Sequence, residues 1–236
     1  PLTLRMVRFF LNNYKKILLM QDVSDSLKVA FRKTKNTLME AERICIISHR
    51  GPDGDAVGSN LALRLALEAV GKKVVSACVD PVPTDSIFLK KANTFVSDFN
   101  YEEFDAICSV DCGALHLVKF PEIKPEILSG EKPFINIDHH ESNDDFGTVN
   151  MVDPKACATA FILYKFLEFC DWPITIDIAN CLLHGIYFDT GGMMHSNTSK
   201  EVFEMAGNLM MKGANVQKIS KALFHISTPT KFGGSK

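Results

Sequence analysis

Three short apolar runs in this chain each stop at an acid or a histidine, and that restricts the fold more than any other feature. Residues 44–47 run into Ser48-His49, residues 104–110 into Asp111-Cys112-Gly113, and residues 133–137 into Asp138-His139-His140. Such short runs, with helical periodicity between them, read as strands buried on both faces. Strand–helix alternation then predicts an α/β fold, a doubly wound, mostly parallel sheet flanked by helices. Open sheets of this kind bind ligands beyond the carboxyl ends of their strands, where these polar residues fall. With 236 residues, 46% of them hydrophobic, the chain is long enough to bury one large core.

Helical patterns fill the intervals. Ser24 or Asp25 caps a helix expected to reach about residue 42, with Leu27, Phe31, Thr34 and Leu38 on one face. Residues 61–70 are apolar nearly all round, which predicts a helix buried on two sides and ended by Gly71. Residues 73–79 read as a strand, 80–84 as a rigid loop and 122–128 as a helix introduced by prolines. After Asp153-Pro154 the chain turns helical over 157–169, over 176–188, from a cap at Asn197 or Thr198 to about 212, and over 216–224. The first twenty residues carry Arg5, Arg8, Lys15 and Lys16 among apolar side chains, with no acid. They read as sequence upstream of a start at Met20 or as an amphipathic helix docked on the body, with a targeting segment the weakest fit. No apolar run approaches the ~18 residues of a membrane span.

The turn Ser48-His49-Arg50-Gly51-Pro52-Asp53-Gly54-Asp55-Ala56-Val57-Gly58-Ser59 sits where a strand hands over to a helix. Its glycines are spaced wrongly for a dinucleotide fingerprint, and no lysine between Arg50 and Lys72 completes a nucleoside-triphosphate loop. Two buried carboxylates at ~4 Å repel by roughly 4 kcal/mol at an effective dielectric of 20, so a cation is expected between them. Asp53 and Asp55 would point to different sides of an extended turn, which suits two neighbouring ions better than one. The full candidate set is His49, Asp53, Asp55, Asp111, Asp138, His139, His140 and Asp189. Carboxylate and imidazole without thiolate suit Mn²⁺ or Mg²⁺ better than zinc. Asp111 and Asp189, from the middle and the far side of the set, are the natural carboxylates for two ions to share.

A net charge of −2 gives no global pull toward nucleic acid, so a polyanionic substrate must be held locally. Seven cysteines without a C-x-x-C pair read as buried thiols of a cytoplasmic protein, not as a zinc cluster. His116, His184 and His225 read as packing or surface histidines. His195, just beyond Asp189, is placed to touch substrate.

At these residues the chain resembles the DHH phosphoesterase family, named for the run that stands here as Asp138-His139-His140. Four blocks carry the resemblance, in order: His49 to Ala56, Val110-Asp111-Cys112-Gly113, Asp138-His139-His140, and Gly185-Ile186-Tyr187-Phe188-Asp189-Thr190-Gly191. It implies that His49 and Asp53 bind one Mn²⁺, Asp55 and His139 the other, and that Asp111 and Asp189 bridge them. It also implies that His140 contacts substrate phosphate and helps protonate the leaving group, while Asp138 orients a histidine. Arg50 is a looser match, as a phosphate contact. The nearest subgroup is the NrnA-like one, in which this domain is paired with a smaller DHHA1 domain. That subgroup degrades very short RNA and removes the 3′-phosphate of adenosine 3′,5′-bisphosphate.

The division expected is therefore an N-terminal extension over 1–23, a catalytic domain over 24–227, and a linker over 228–236 toward an absent DHHA1-type domain. The function expected is two-metal hydrolysis of short oligonucleotides or nucleotide bisphosphates, without a membrane partner; a homodimer is allowed. Manganese-dependent inorganic pyrophosphatase and a nucleotide-binding module without turnover are the alternatives.

Overall fold

The computed structural model describes residue 21 and residues 23–224; the segments 1–20 and 228–236, and His225, lie outside the described residues. Five parallel strands form one sheet, β1 (Arg43–Ser48), β2 (Lys73–Ala77), β3 (Ala106–Val110), β4 (Phe134–Asp138) and β5 (Val149–Val152), in the order β2-β1-β3-β4-β5. The longer helices are α1 (Asp25–Glu40), α2 (Gly54–Ala69), α5 (Thr159–Cys170), α6 (Ile176–Asp189), α7 (Lys200–Met211) and α8 (Val216–Leu223). Between β3 and β4 lie the single turns α3 (Leu115–Val118) and α4 (Phe120–Ile123).

Alternate strand residues point to opposite faces. Ile44, Ile46, Cys108, Val110, Ile135 and Ile137 share a core with α1, α2, α5 and α6. Cys45, Ile47, Ile107 and Phe134 face a second, smaller core that includes Phe99, Phe104, Phe120 and Ile127. The α/β class predicted from the apolar runs is the one observed. Ser24 caps α1, its hydroxyl accepting the Leu27 N–H at 3.2 Å, and Leu27, Phe31, Thr34 and Leu38 are buried as expected.

Where elements differ from expectation, the reasons are local. Helix α2 begins inside the polar turn because the Asp53 carboxylate accepts the N–H groups of Asp55 and Ala56, both at 3.0 Å. The helix predicted over 122–128 is broken at Lys124, since the residue before Pro125 is pushed out of helical geometry; a 3₁₀ turn follows. Helix α7 takes its cap from Ser199 instead of Asn197 or Thr198. Strand β5 was not expected. It has only four residues, with Asn150 among them, and its attachment depends on amides as well as the ladder. Asn136 donates to Asn150 Oδ1 at 3.0 Å and to Asn143 Oδ1 at 2.8 Å.

Two helices that carry candidate site residues meet backbone to backbone. A Cβ at Gly58 of α2 would stand 2.6 Å from the Cys181 carbonyl oxygen and 3.1 Å from the Gly185 nitrogen, both on α6. Gly58→Ala is therefore expected to destabilise the fold by roughly 1–3 kcal/mol. A lower urea midpoint at unchanged slope is the signature; an unshifted midpoint would mean that the helices part without strain.

His184 is fully buried on α6, with Nε2 2.9 Å from Ser86 Oγ, and burial pushes its imidazole down to about 4. It packs, as the sequence suggested, and His116 is exposed. The seven cysteines are buried. Among the described residues no helix is long and apolar enough to cross a membrane.

Candidate metal centre

The polar residues at the strand ends converge. His49 follows β1, Asp111 follows β3, and Asp138 closes β4 with His139 and His140 directly after it. The start of α2 supplies Asp53 and Asp55, and Asp189 is the last residue of α6. Asp111 takes a left-handed backbone, φ 56°, which aspartate tolerates better than most residues. Its N–H is held by the Ile137 carbonyl at 2.9 Å.

Three sets of side chains bring donor atoms within 4.8 Å of one another: His49, Asp53 and Asp111; Asp55, His139 and Asp189; and Asp111, His139 and His140. Asp111 and His139 each belong to two sets, so the cluster is continuous. His139 Nε2 lies 3.1 Å from Asp189 Oδ2 and 3.7 Å from Asp111 Oδ1.

Each of the three histidines has its Nδ1 beside an acceptor. His49 Nδ1 is 2.8 Å from the Arg50 carbonyl, His139 Nδ1 is 3.2 Å from the Ala156 carbonyl, and His140 Nδ1 is 2.8 Å from Asp138 Oδ1. Assigning the proton to Nδ1 leaves Nε2 with a lone pair, the arrangement by which a second layer of contacts orients an imidazole ligand.

The carboxylates are held as firmly. Asp55 is fully buried and accepts the Thr159 N–H at 2.6 Å, the Ala160 N–H at 3.1 Å and the Ser59 hydroxyl at 3.1 Å. It thus caps the start of α5, where the helix dipole favours negative charge. Asp111 accepts the Thr159 hydroxyl at 2.9 Å, and Asp138 accepts Asn143 Nδ2 at 2.7 Å.

No described lysine or arginine forms an ion pair with Asp53, Asp55, Asp111 or Asp189. Burial, and then the charge of Asp189, pushes the Asp55 carboxyl up to about 7. Burial, and then the charges of Asp55 and Asp53, holds Asp111 well above the ordinary carboxylate range. Against its own desolvation, the hydrogen bond to Asp189 and the charge of Asp55 raise His139 to about 9. Asp138 raises His140. Carboxylates crowded this closely without a lysine or arginine among them, beside imidazole nitrogens and with no thiolate in the set, have the donor chemistry that suits hard or borderline divalent ions.

Of the site residues singled out from sequence, Asp138, Arg50 and His195 stand outside these sets, Asp138 reaching them through its contact with His140. Arg50 is exposed, its N–H donating to the Leu117 carbonyl at 2.9 Å. His195 is also exposed, with Nδ1 3.2 Å from the Asp189 carbonyl and its ring over Gly191. Sequence reasoning missed the supporting contacts of Ser59, Asn143 and Thr159. None has a local signature; Ser59 lies four residues after Asp55, one helical turn on, and that spacing was the single available hint.

Fold and donors together define a parallel α/β protein with a candidate divalent-metal centre at the strand ends. The chain belongs to the DHH family: the family's N-terminal domain matches residues 43–186. It is 35% identical over 183 residues to the bifunctional oligoribonuclease and PAP phosphatase NrnA of Thermus thermophilus, covering 76% of this chain and 53% of that protein. The protein of the same name from Bacillus subtilis is 26% identical over 178 residues, covering 74% of this chain and 54% of the other. The chain thus spans about half the length of these curated relatives. Among solved structures, an exopolyphosphatase-related protein from Bacteroides fragilis shares the fold with a TM-score of 0.76 at 24% identity, over 86% of this chain and 62% of that one.

Proposed function

We propose that this chain is a cytoplasmic, metal-dependent phosphoesterase acting on short oligonucleotides and on 3′-phosphoadenosine 5′-phosphate. The observation that carries the reading is the continuous donor cluster, in which each of its three histidines has Nδ1 beside an acceptor and, among the described residues, Asp53, Asp55, Asp111 and Asp189 have no lysine or arginine partner. Similarity to the two NrnA proteins supplies the substrate class. His49 and Asp53 would hold one divalent ion, Asp55 and His139 a second, with Asp111 and Asp189 shared; Mn²⁺ is preferred and Mg²⁺ is the alternative. When bound, such a pair supplies Lewis acidity and a water acidified toward neutral pH.

The chain's own groups do the rest. His140 is the exposed imidazole of the cluster, and the Asp138 carboxylate beneath it keeps it protonated to higher pH. It is therefore suited to meet a substrate phosphate and to give a proton to the departing oxygen. Asn143 and Asp138 fix that imidazole's direction through the 2.7 and 2.8 Å contacts. Arg50 and His195, at the rim, would contact further phosphate oxygens. The segment 1–23 is assigned as an extension, 24–227 as the catalytic domain, and 228–236 as a linker toward a DHHA1-type domain.

The test is a labelled dinucleotide incubated with protein and Mn²⁺, with and without chelator. Metal-dependent release of mononucleotides is expected. Turnover of pyrophosphate alone would replace the reading with a pyrophosphatase, and tight nucleotide binding without turnover would make the chain a binding module.

A further inference from the structure

Beside the donor cluster stands a large side chain that the chemistry above does not use. Phe188 immediately precedes Asp189 and is 36% exposed. Its ring rests on Gly54, the residue between Asp53 and Asp55: a Cβ there would stand 2.6 Å from Phe188 Cδ2 and 2.7 Å from Cγ. The ring is thus seated on bare backbone between two candidate ligands and adjoins a third, with the remainder open to solvent. Only a residue without a side chain at position 54 admits it there.

Single exposed apolar residues are ordinary. This one has company on the segment that follows Asp189. Met194 is 80% exposed, and the partly exposed Phe224 ring packs on Gly192. The end of α6 and the segment that leaves it therefore present apolar, partly aromatic surface, with Phe188 directly beside the candidate ligands and the exposed His195 between Met194 and Ser196. Inorganic phosphate and pyrophosphate have no face to set against such a surface. A nucleobase does, since every base presents a flat π face, and stacking on an aromatic side chain tolerates any sequence.

We propose that Phe188 is the platform on which the base of the substrate nucleotide stacks while its phosphate lies at the metal centre. This rests on the phosphoesterase reading and narrows it: the substrate is recognised as a nucleoside phosphate through its base, by a contact independent of base identity.

The probe is 2-aminopurine riboside 5′-monophosphate, whose fluorescence is quenched on stacking, compared with ribose 5-phosphate, both titrated in Mn²⁺. The wild-type protein is expected to bind the nucleotide roughly ten-fold or more tightly than the sugar phosphate, with quenching. Phe188→Leu keeps an apolar side chain over Gly54 but removes the ring; it should lose that preference and the quenching, and Phe188→Tyr should keep both. Direct Mn²⁺ titration of each variant shows whether the centre survives. No preference in the wild-type protein, or a preference retained by Phe188→Leu, would overturn the proposal. Loss of Mn²⁺ binding in both variants would also overturn it, assigning Phe188 to supporting the centre. Absence of dinucleotide turnover by the wild-type protein would instead sink the hydrolase reading, and the binding comparison would still decide the role of the ring.

Discussion

Asp111→Asn is expected to leave the fold intact while reducing Mn²⁺-dependent hydrolysis by about a thousand-fold, equivalent to about 4 kcal/mol of barrier. Asparagine is the informative replacement because it is nearly isosteric, tolerates the left-handed backbone at φ 56°, and still offers an oxygen to the Thr159 hydroxyl. What it removes is one negative charge from the position that joins the His49–Asp53 set to the His139–His140 set. Metal affinity should fall with activity, and calorimetric titration with Mn²⁺ measures it. The chelated variant should melt higher than the chelated wild type, since asparagine removes the cost of burying a carboxyl beside Asp55 and Asp53, which must be either charged or protonated there. Full activity in the variant would show that Asp111 does not join the two sets functionally.

Removing metal should give the protein a pH dependence it lacks when loaded. In the chelated protein, stability is expected to decline as pH rises from about 6.5 to about 9. The sign follows from the direction of the shifts. Asp55 titrates at about 7 when folded against an ordinary 3.8, and His139 at about 9 against 6.5. In that window the folded state binds more protons than the unfolded state, so each step up in pH favours unfolding. The His139 contribution is fully present below pH 6.5 and lost through pH 9, roughly 3 kcal/mol at 1.36 kcal/mol per unit. Below pH 6.5 the trend is masked, because buried His184, depressed to about 4, loses its contribution as pH falls from 6.5 toward 4. Mn²⁺ at about a hundred times its dissociation constant adds about 2.7 kcal/mol and should flatten the curve. Thermal melts at about pH 6.5 and about pH 8.5, with chelator and with Mn²⁺, decide it. Equal melting points for the chelated protein at the two pH values would refute the electrostatic account of the cluster.

Much of this was legible in the chain. Runs of apolar residues that end abruptly in Asp or His specify buried parallel strands and place the polar ends together, and the structure gathers His49, Asp53, Asp55, Asp111, His139 and Asp189 at that edge. Strand β5 was not legible, because Val149-Asn150-Met151-Val152 lacks a continuous apolar pattern and is secured by an amide–amide contact with Asn136. Nor was the role of Thr159. Its hydroxyl meets Asp111, 48 residues earlier, and its N–H meets Asp55, 104 residues earlier, only because packing carries the start of α5 to the strand ends. Contacts of that range leave no periodicity to read.

The meeting of α2 with α6 at Gly58 has a consequence for ion choice. At that crossing no side chain stands between the two helices to yield by changing rotamer, so the carriers of Asp55 and Asp189 form a rigid caliper. A larger or smaller cation must then be accommodated by torsion of the carboxylates alone. Selectivity by ionic radius would thus be set by the methyl groups that Gly58 and Gly185 omit, the first at the helix crossing and the second where it would press on Asp55 Oδ1.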